Sequence, residues 1–309
     1  MARISGRIGK GIDVPGARLV CPMCKGDLAK GANTLACTSC GRLFRQPGDG
    51  YINLLPDRLL DESQFGWQER QREMEAWYRD LIADPEEARG VLMHDHEPYA
   101  AFLASLSGTV LDLGGGAGVV RIFLDPEVDH VVVDPSLDWL EHGWADLITR
   151  LASGSDNDPG HRSTFIRAAA EYLPFAEQSF DAVVAFWSLN HVFEPAAAFL
   201  EAHRVLRPQG QFLLVLEDME PSWSDLLKRL RTRYGPTRPP SRHPSSWTGK
   251  KVLKDKIRRR WLGQEWPLQP DHLRIRDSDV RRWSRGRFVI KLREWRGDFL
   301  AYRLEVRAA

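Results

Sequence analysis

Hydrophobic positions along this chain gather into short continuous runs, separated by stretches whose apolar spacing suits helices. Val110-Leu111-Asp112-Leu113 runs into Gly114-Gly115-Gly116-Ala117-Gly118, and His130-Val131-Val132-Val133 is closed by Asp134. Residues 180–186 (FDAVVAF) and 211–216 (QFLLVL) are further runs that read as buried strands. Residues 195–206 lie between them with helical spacing, Pro195 at the start and Pro208-Gln209-Gly210 after the end. Strands that alternate with helices predict a parallel sheet covered on both faces. Near the end, residues 288–292 and 299–306 fit two strands paired around Arg296-Gly297-Asp298, with a helix over 277–283 leading in.

The glycine run carries the first chemical information. Glycines at 114, 116 and 118 let a strand end turn sharply and let a ligand come closer than a Cβ would permit. Residues 119–123 are apolar and suited to a helix start, whose free N–H groups favour electron-rich ligand atoms. Asp134, at the tip of the next strand, can accept both hydroxyls of a ribose. A nicotinamide dehydrogenase wants G-x-G-x-x-G, and Val119 breaks that spacing.

In combination these residues resemble the class I S-adenosylmethionine (SAM) methyltransferases. The run 110–118 is similar to their first motif and Asp134 to their ribose acid. Ala170-Glu171-Tyr172-Leu173-Pro174-Phe175 with Ser179-Phe180-Asp181 is similar to the segment lining the adenine. Leu189-Asn190-His191-Val192 and Arg204-Val205-Leu206-Arg207-Pro208-Gln209-Gly210 match later landmarks. The resemblance implies a Rossmann-like seven-stranded α/β sheet with a terminal antiparallel hairpin, and SAM as cofactor. It implies SAM contacts from Asp112, Gly114, Gly116, Gly118, Asp134, Ala170 and Glu171. One position departs: where the family commonly has an Asp or Asn for the adenine amino group, this chain has Ala169, which leaves adenine to backbone groups near Ala170 and to apolar packing.

Composition adds a second feature. The chain has 309 residues, 43% of them hydrophobic, and a formal net charge of +1, so no global field points to nucleic acid or membrane. No apolar run is long enough to span a bilayer and the first ten residues lack a signal-peptide core, so the expected location is cytoplasmic. All four cysteines fall in two C-x-x-C pairs, Cys21/Cys24 and Cys37/Cys40. Two such knuckles can complete a tetrahedron around Zn²⁺. A sphere closed by four sulfurs keeps no water to activate, so a structural zinc is expected. With Tyr51-Ile52-Asn53-Leu54-Leu55-Pro56, this part resembles the zinc ribbons fused ahead of some methyltransferases, bacterial ribosomal RNA guanine methyltransferases among them; there one ligand is typically a histidine, where Cys40 stands here.

The organisation expected is a zinc ribbon over 18–56, a helical connector or cap over 57–107, and a methyltransferase domain over 108–309. A basic insertion occupies about 222–270, whose only acid between Lys228 and Arg260 is Asp255. It reads as a helix, an irregular proline-rich loop and a basic helix ending near Trp261, near the substrate mouth. Its charge suits a solvated face or an anionic partner. In the connector, His94-Asp95-His96-Glu97 has the wrong helical spacing for a metal, and Trp67, Trp77 and Tyr78 suit core packing. His191 is the first candidate for a catalytic base, with Glu217 and His243 behind it. Three functions follow in order: methyl transfer to a small, possibly anionic acceptor (saccharide, lipid-linked or secondary metabolite); methylation of an rRNA or tRNA base; and a non-catalytic binding module on a degenerate methyltransferase fold.

Overall fold

The computed structural model describes residues 13–47, 50–56, 76, 84–136, 139, 144–153, 163–231, 249–265, 272–296 and 299–308. Trp67, Trp77, Tyr78 and His243 lie outside the described residues. The chain opens with two antiparallel strands, β1 (Asp13–Val14) and β2 (Ala17–Arg18). A small antiparallel sheet follows, of β3 (Leu28–Lys30), β4 (Thr34–Cys37) and β5 (Leu43–Arg45). After it come β6 (Ile52–Asn53) and two helices, α1 (Pro85–His96) and α2 (Ala100–Leu103). Asp84 caps α1 by accepting from the amides of Glu86 and Glu87, and Pro85 fills the first turn, where its missing N–H costs nothing.

The main body then alternates: β7 (Thr109–Leu113), β8 (Asp129–Asp134), α3 (Trp144–Ser153), β9 (Thr164–Arg167), β10 (Phe180–Phe186), α4 (Pro195–Val205) and β11 (Leu206–Leu216). It continues with α5 (Trp223–Arg231), α6 (Gly249–Trp261), α7 (Asp277–Ser284) and the antiparallel hairpin of β12 (Phe288–Arg296) and β13 (Phe299–Val306). The large sheet has the order β12-β13-β11-β10-β7-β8-β9-β6. Strands β6 to β11 pair parallel, and β13 joins β11 antiparallel. Every residue of β7 is buried, as a central parallel strand covered on both faces requires. Fully burying each of its Val and Leu side chains is worth about 1.5–3 kcal/mol. The strand order reverses between β7 and β10, so a ligand crevice belongs outside the carboxyl ends of those two strands.

Three details differ from the sequence expectation. The seven expected strands are joined by an eighth, because Ile52 and Asn53 pair with Ile166 and Arg167 at the sheet edge. A two-residue strand has no periodicity by which to be recognised. The strand expected over 211–216 starts at Leu206: Phe180 already pairs with Leu206, the register shifts, and Pro208-Gln209-Gly210 becomes an excursion inside it with Gln209 at φ 65°. Residues 119–123 form a 3₁₀ turn, not the start of a longer α-helix. Its Arg121 is buried, and the guanidinium donates to the carbonyls of Val128 (2.8 Å), Leu124 (3.0 Å) and Asp125. In the segment expected as a helical connector, the residues from Pro85 onward form α1, a 3₁₀ turn with Pro98 and α2.

Candidate active site

The glycine loop leaves β7 at the crevice and is shaped as a cradle. Gly114, Gly116 and Gly118 have φ of 65°, 51° and 77°, the left-handed region that a side chain disfavours. A Cβ on Gly114 would lie 2.5 Å from Cβ of Ser188, and one on Gly116 would press on Trp139. Asp134, 8% exposed, accepts from the amides of Gly116 (3.1 Å) and Ser136 (2.9 Å). Its carboxylate therefore stands at the loop, where a ribose acid is needed.

The other expected cofactor residues are placed less uniformly. Asp112 is buried beneath the loop; its carboxylate lies under Gly115 and 3.5 Å from Nε2 of His130, whose own pKa burial pushes down. It acts on the shape of the loop from below. Glu171 is buried, which pushes its pKa up, and its Oε1 accepts from the amides of Phe193 (2.7 Å) and Glu194 (3.2 Å). That carboxylate fixes the start of α4. Ala169 and Ala170 are buried, and Ala169 packs with Leu55 and Tyr172, an apolar wall beside β9. Leu55 comes from the segment after the cysteines, so the N-terminal part of the chain helps to build the expected adenine side.

Across the crevice, the ends of β10 and β11 carry the acceptor-side candidates. Trp187 (φ 56°) and Asp218 (φ 53°), one just past each strand, adopt a left-handed backbone that bulky residues rarely take, and such strain collects at functional sites. Ser188 Oγ donates to the Leu113 carbonyl (2.6 Å), joining this wall to the glycine loop. The turn continues with the His191 amide donating to Ser188 (3.0 Å). Buried Asn190 donates from Nδ2 to the carbonyls of Glu217 (3.4 Å) and Leu273 (3.2 Å), and the Leu273 amide donates back to Asn190 (2.7 Å).

These ties bring together the two residues expected and one that sequence reasoning missed. His191 Nε2 is 3.5 Å and His272 Nε2 3.2 Å from the same oxygen, Oε1 of Glu217. The other nitrogen of His272, Nδ1, is 2.7 Å from Asp218 Oδ2. The two imidazoles meet edge to face with centroids 4.5 Å apart. Side-chain exposures are 13% for His191, 20% for Glu217 and 2% for His272, so the cluster sits in a wall and opens at one side. His272 stands in an irregular segment before α7, and only the fold carries it here.

Two other histidines of the sequence reading have structural surroundings. His96 is buried, Nδ1 on the Leu92 carbonyl (2.9 Å), with its ring against Phe186 and Trp187; burial pushes its pKa down. His94 is exposed, so the His94–Glu97 run presents no common face. The four cysteines do converge. Sγ of Cys21 is 3.8 Å from that of Cys40, and Cys24 is 3.4 Å from Cys37, with all four within 4.8 Å of one another. This segment is tied to the main sheet: Val20 donates to the Pro174 carbonyl (2.8 Å), and Lys25 Nζ reaches Leu173 O (3.0 Å) and Glu201 (2.8 Å).

A fold with a glycine cradle, a carboxylate at the second strand tip and a polar acceptor wall defines a nucleotide-type cofactor site. The comparisons with known proteins name its class. A family model described as a methyltransferase domain matches residues 111–214. The ubiquinone/menaquinone biosynthesis C-methyltransferase UbiE of Hahella chejuensis is 30% identical over 177 residues, covering 52% of this chain and 68% of that protein. Its counterpart in Pseudomonas aeruginosa is 32% identical over 185 residues, covering 57% of this chain; the chain spans 66% of that relative's length. Among solved structures, a SAM-dependent methyltransferase from Aquifex aeolicus aligns with a TM-score of 0.44 at 12% identity, over 72% of this chain and 99% of that one. PH0226 protein from Pyrococcus horikoshii aligns at 0.42 and 21% identity, over 72% and 92%. The chain belongs to the class I SAM-dependent methyltransferases.

Proposed function

We propose that this protein transfers a methyl group from SAM to a small-molecule acceptor with an ionisable oxygen, on a saccharide, a lipid-linked compound or a secondary metabolite. The observation that carries this reading is the convergence of His191, Glu217 and His272 past the ends of β10 and β11, in the wall that Ser188 ties to the end of β7. SAM supplies a methyl group on a sulfonium, already a good leaving group. The protein's task is then to position the acceptor, exclude water and manage one proton. The cluster offers a carboxylate and two imidazoles for that proton, with Asp218 fixing the orientation of His272. Methylation falls on the oxygen itself or on a carbon that its ionisation makes nucleophilic. The UbiE relatives are named as C-methyltransferases of ubiquinone and menaquinone biosynthesis, which supports a small acceptor.

On the cofactor side, we assign the ribose to Asp134 and the amino-acid tail to the loop of Gly114, Gly116 and Gly118. Adenine falls to the wall of Ala169, Ala170 and Leu55. We further propose that Cys21, Cys24, Cys37 and Cys40 hold a structural Zn²⁺. Tetrahedral coordination at a Zn–S distance of about 2.3 Å needs sulfurs about 3.8 Å apart, close to the spacing found. Two charges of the basic insertion are taken up in ion pairs, Lys256 with Glu220 and Arg259 with Asp255 (2.6 Å), while Lys254, Arg258 and Arg260 are exposed, so an RNA base stays the alternative acceptor. Incubation with methyl-labelled SAM and fractionated cell extract tests the reading. Label is expected in the low-mass fraction; label in RNA moves the acceptor to a nucleic acid, and no transfer at all contradicts the enzyme.

A further inference from the structure

We infer that His191, Glu217 and His272 form a binding site for a divalent transition-metal cation, separate from the four-cysteine cluster. Three donor atoms of the kinds such ions prefer, two imidazole nitrogens and a carboxylate oxygen, converge in a wall of low exposure. Of their two separations, the shorter lies within the range for ligands that share one cation and the longer just above it. Both histidine nitrogens face one carboxylate oxygen, at 3.2 and 3.5 Å. A charge-assisted N–H···O bond would be about 2.7–2.9 Å. Ligands about 2.0–2.1 Å from a shared cation stand about 2.9–3.4 Å apart, depending on octahedral or tetrahedral geometry.

The outer contacts have the form that metal-binding histidines use. His272 turns Nδ1 to Asp218 at 2.7 Å; with the neutral ring donating Nδ1–H to that carboxylate, Nε2, the nitrogen nearer Glu217, is the one available to a cation. Two imidazoles and one carboxylate also form the set that leaves coordination positions open. An acceptor oxygen that entered such a position would complete the sphere and have its pKa lowered there. That last step rests on the methyl-transfer reading; the cation site itself does not.

Manganese(II) is the probe, because it takes nitrogen and oxygen ligands and avoids the thiolates of the cysteine cluster. The full chain is titrated with Mn²⁺, free ion being read by electron paramagnetic resonance, and bound zinc is counted after equilibration with Zn²⁺. We expect one saturable Mn²⁺ site, weakened at least 10-fold by His191→Ala, His272→Ala or Glu217→Gln, and 10- to 100-fold by Asp218→Asn. Zinc content should fall by one ion per chain in the His191→Ala/His272→Ala double variant. SAM affinity, measured on the same samples, should be unchanged; Glu217→Gln, nearly isosteric, keeps the test valid if a histidine variant folds poorly. No Mn²⁺ site together with an unchanged zinc count in the variants overturns the inference. SAM binding without the metal site would leave the methyl-transfer reading standing, and a metal site without SAM binding would do the reverse.

Discussion

The two walls of the crevice are built in different ways. The loop side of the proposed cofactor wall is local: Gly114 to Gly118 and Asp134 belong to one strand–turn–strand unit, and Asp134 accepts from Gly116 18 positions away, while Leu55 reaches Ala169 from the N-terminal part. The acceptor wall is assembled from afar. His272 meets Asp218 across 54 positions, and Asn190 holds Leu273 across 83. A local unit can be kept while a distant one is exchanged. A class of enzymes can thus share one methyl donor and differ in acceptor, because the two walls touch mainly through Ser188 and the loop.

The largest effect should come from breaking the cofactor wall. Asp134→Ala is expected to weaken SAM binding at least 100-fold, about 2.7 kcal/mol, by calorimetric titration. Gly114→Ala should do comparable damage, since its Cβ would overlap Ser188 at a φ that alanine resists. Breaking the acceptor wall should leave that binding alone. Glu217→Gln and His272→Ala are expected to lower turnover about 10²- to 10⁴-fold while SAM affinity stays within about two-fold. A parallel loss of SAM affinity would mean that the walls are not separable.

A smaller effect is expected where the cysteine-bearing segment docks. Lys25 is partly buried and salt-bridged to Glu201 at 2.8 Å; burial pushes its pKa down and Glu201 partly restores it. Glu201→Ala also removes the carboxylate partner of Arg204 (2.6 Å), which keeps its bonds to the Phe175 and Leu173 carbonyls, and should destabilise the fold by about 2 kcal/mol in urea unfolding, with a small loss of SAM affinity through Leu55. The smallest effect concerns the hairpin. Burial alone would raise the pKa of Asp225, but two bonds from Arg293, at 2.8 and 2.9 Å, and those from Ser222 hold it well below the usual carboxylate range. The unfolded chain therefore takes up a proton first as pH falls. Asp225 contributes its full stability above about pH 4 and loses it below. The stability difference between the protein and Asp225→Asn should narrow by about 1 kcal/mol between pH 7 and pH 3.

The same contrast explains what could be read from the residue order. β7 and β8 are apolar runs ending in glycine and in an acid, so their type and their ligand end were legible; β10 is an apolar run whose type alone was. His191 and Glu217 were legible too, since each follows a recognisable strand. His272 was not. Irregular backbone has no period, and nothing in Pro270-Asp271-His272 indicates which strand end it will meet. β6 escaped for a related reason: two residues become a strand only because the edge of β9 is there to pair with them. Glu171 was legible as part of a motif, but its partners, the Phe193 and Glu194 amides, were not, because tertiary structure places them.

The central claim is that one crevice holds a methyl donor on a local wall and an acceptor on a distant one. A crystal structure with S-adenosylhomocysteine, the demethylated donor, tests it most directly. The account predicts the ribose hydroxyls on Asp134, adenine against Ala169 and Leu55, and the sulfur facing the side of the crevice that carries His191, Glu217 and His272. Density for the nucleoside elsewhere, or its sulfur turned away from those three residues, would contradict it.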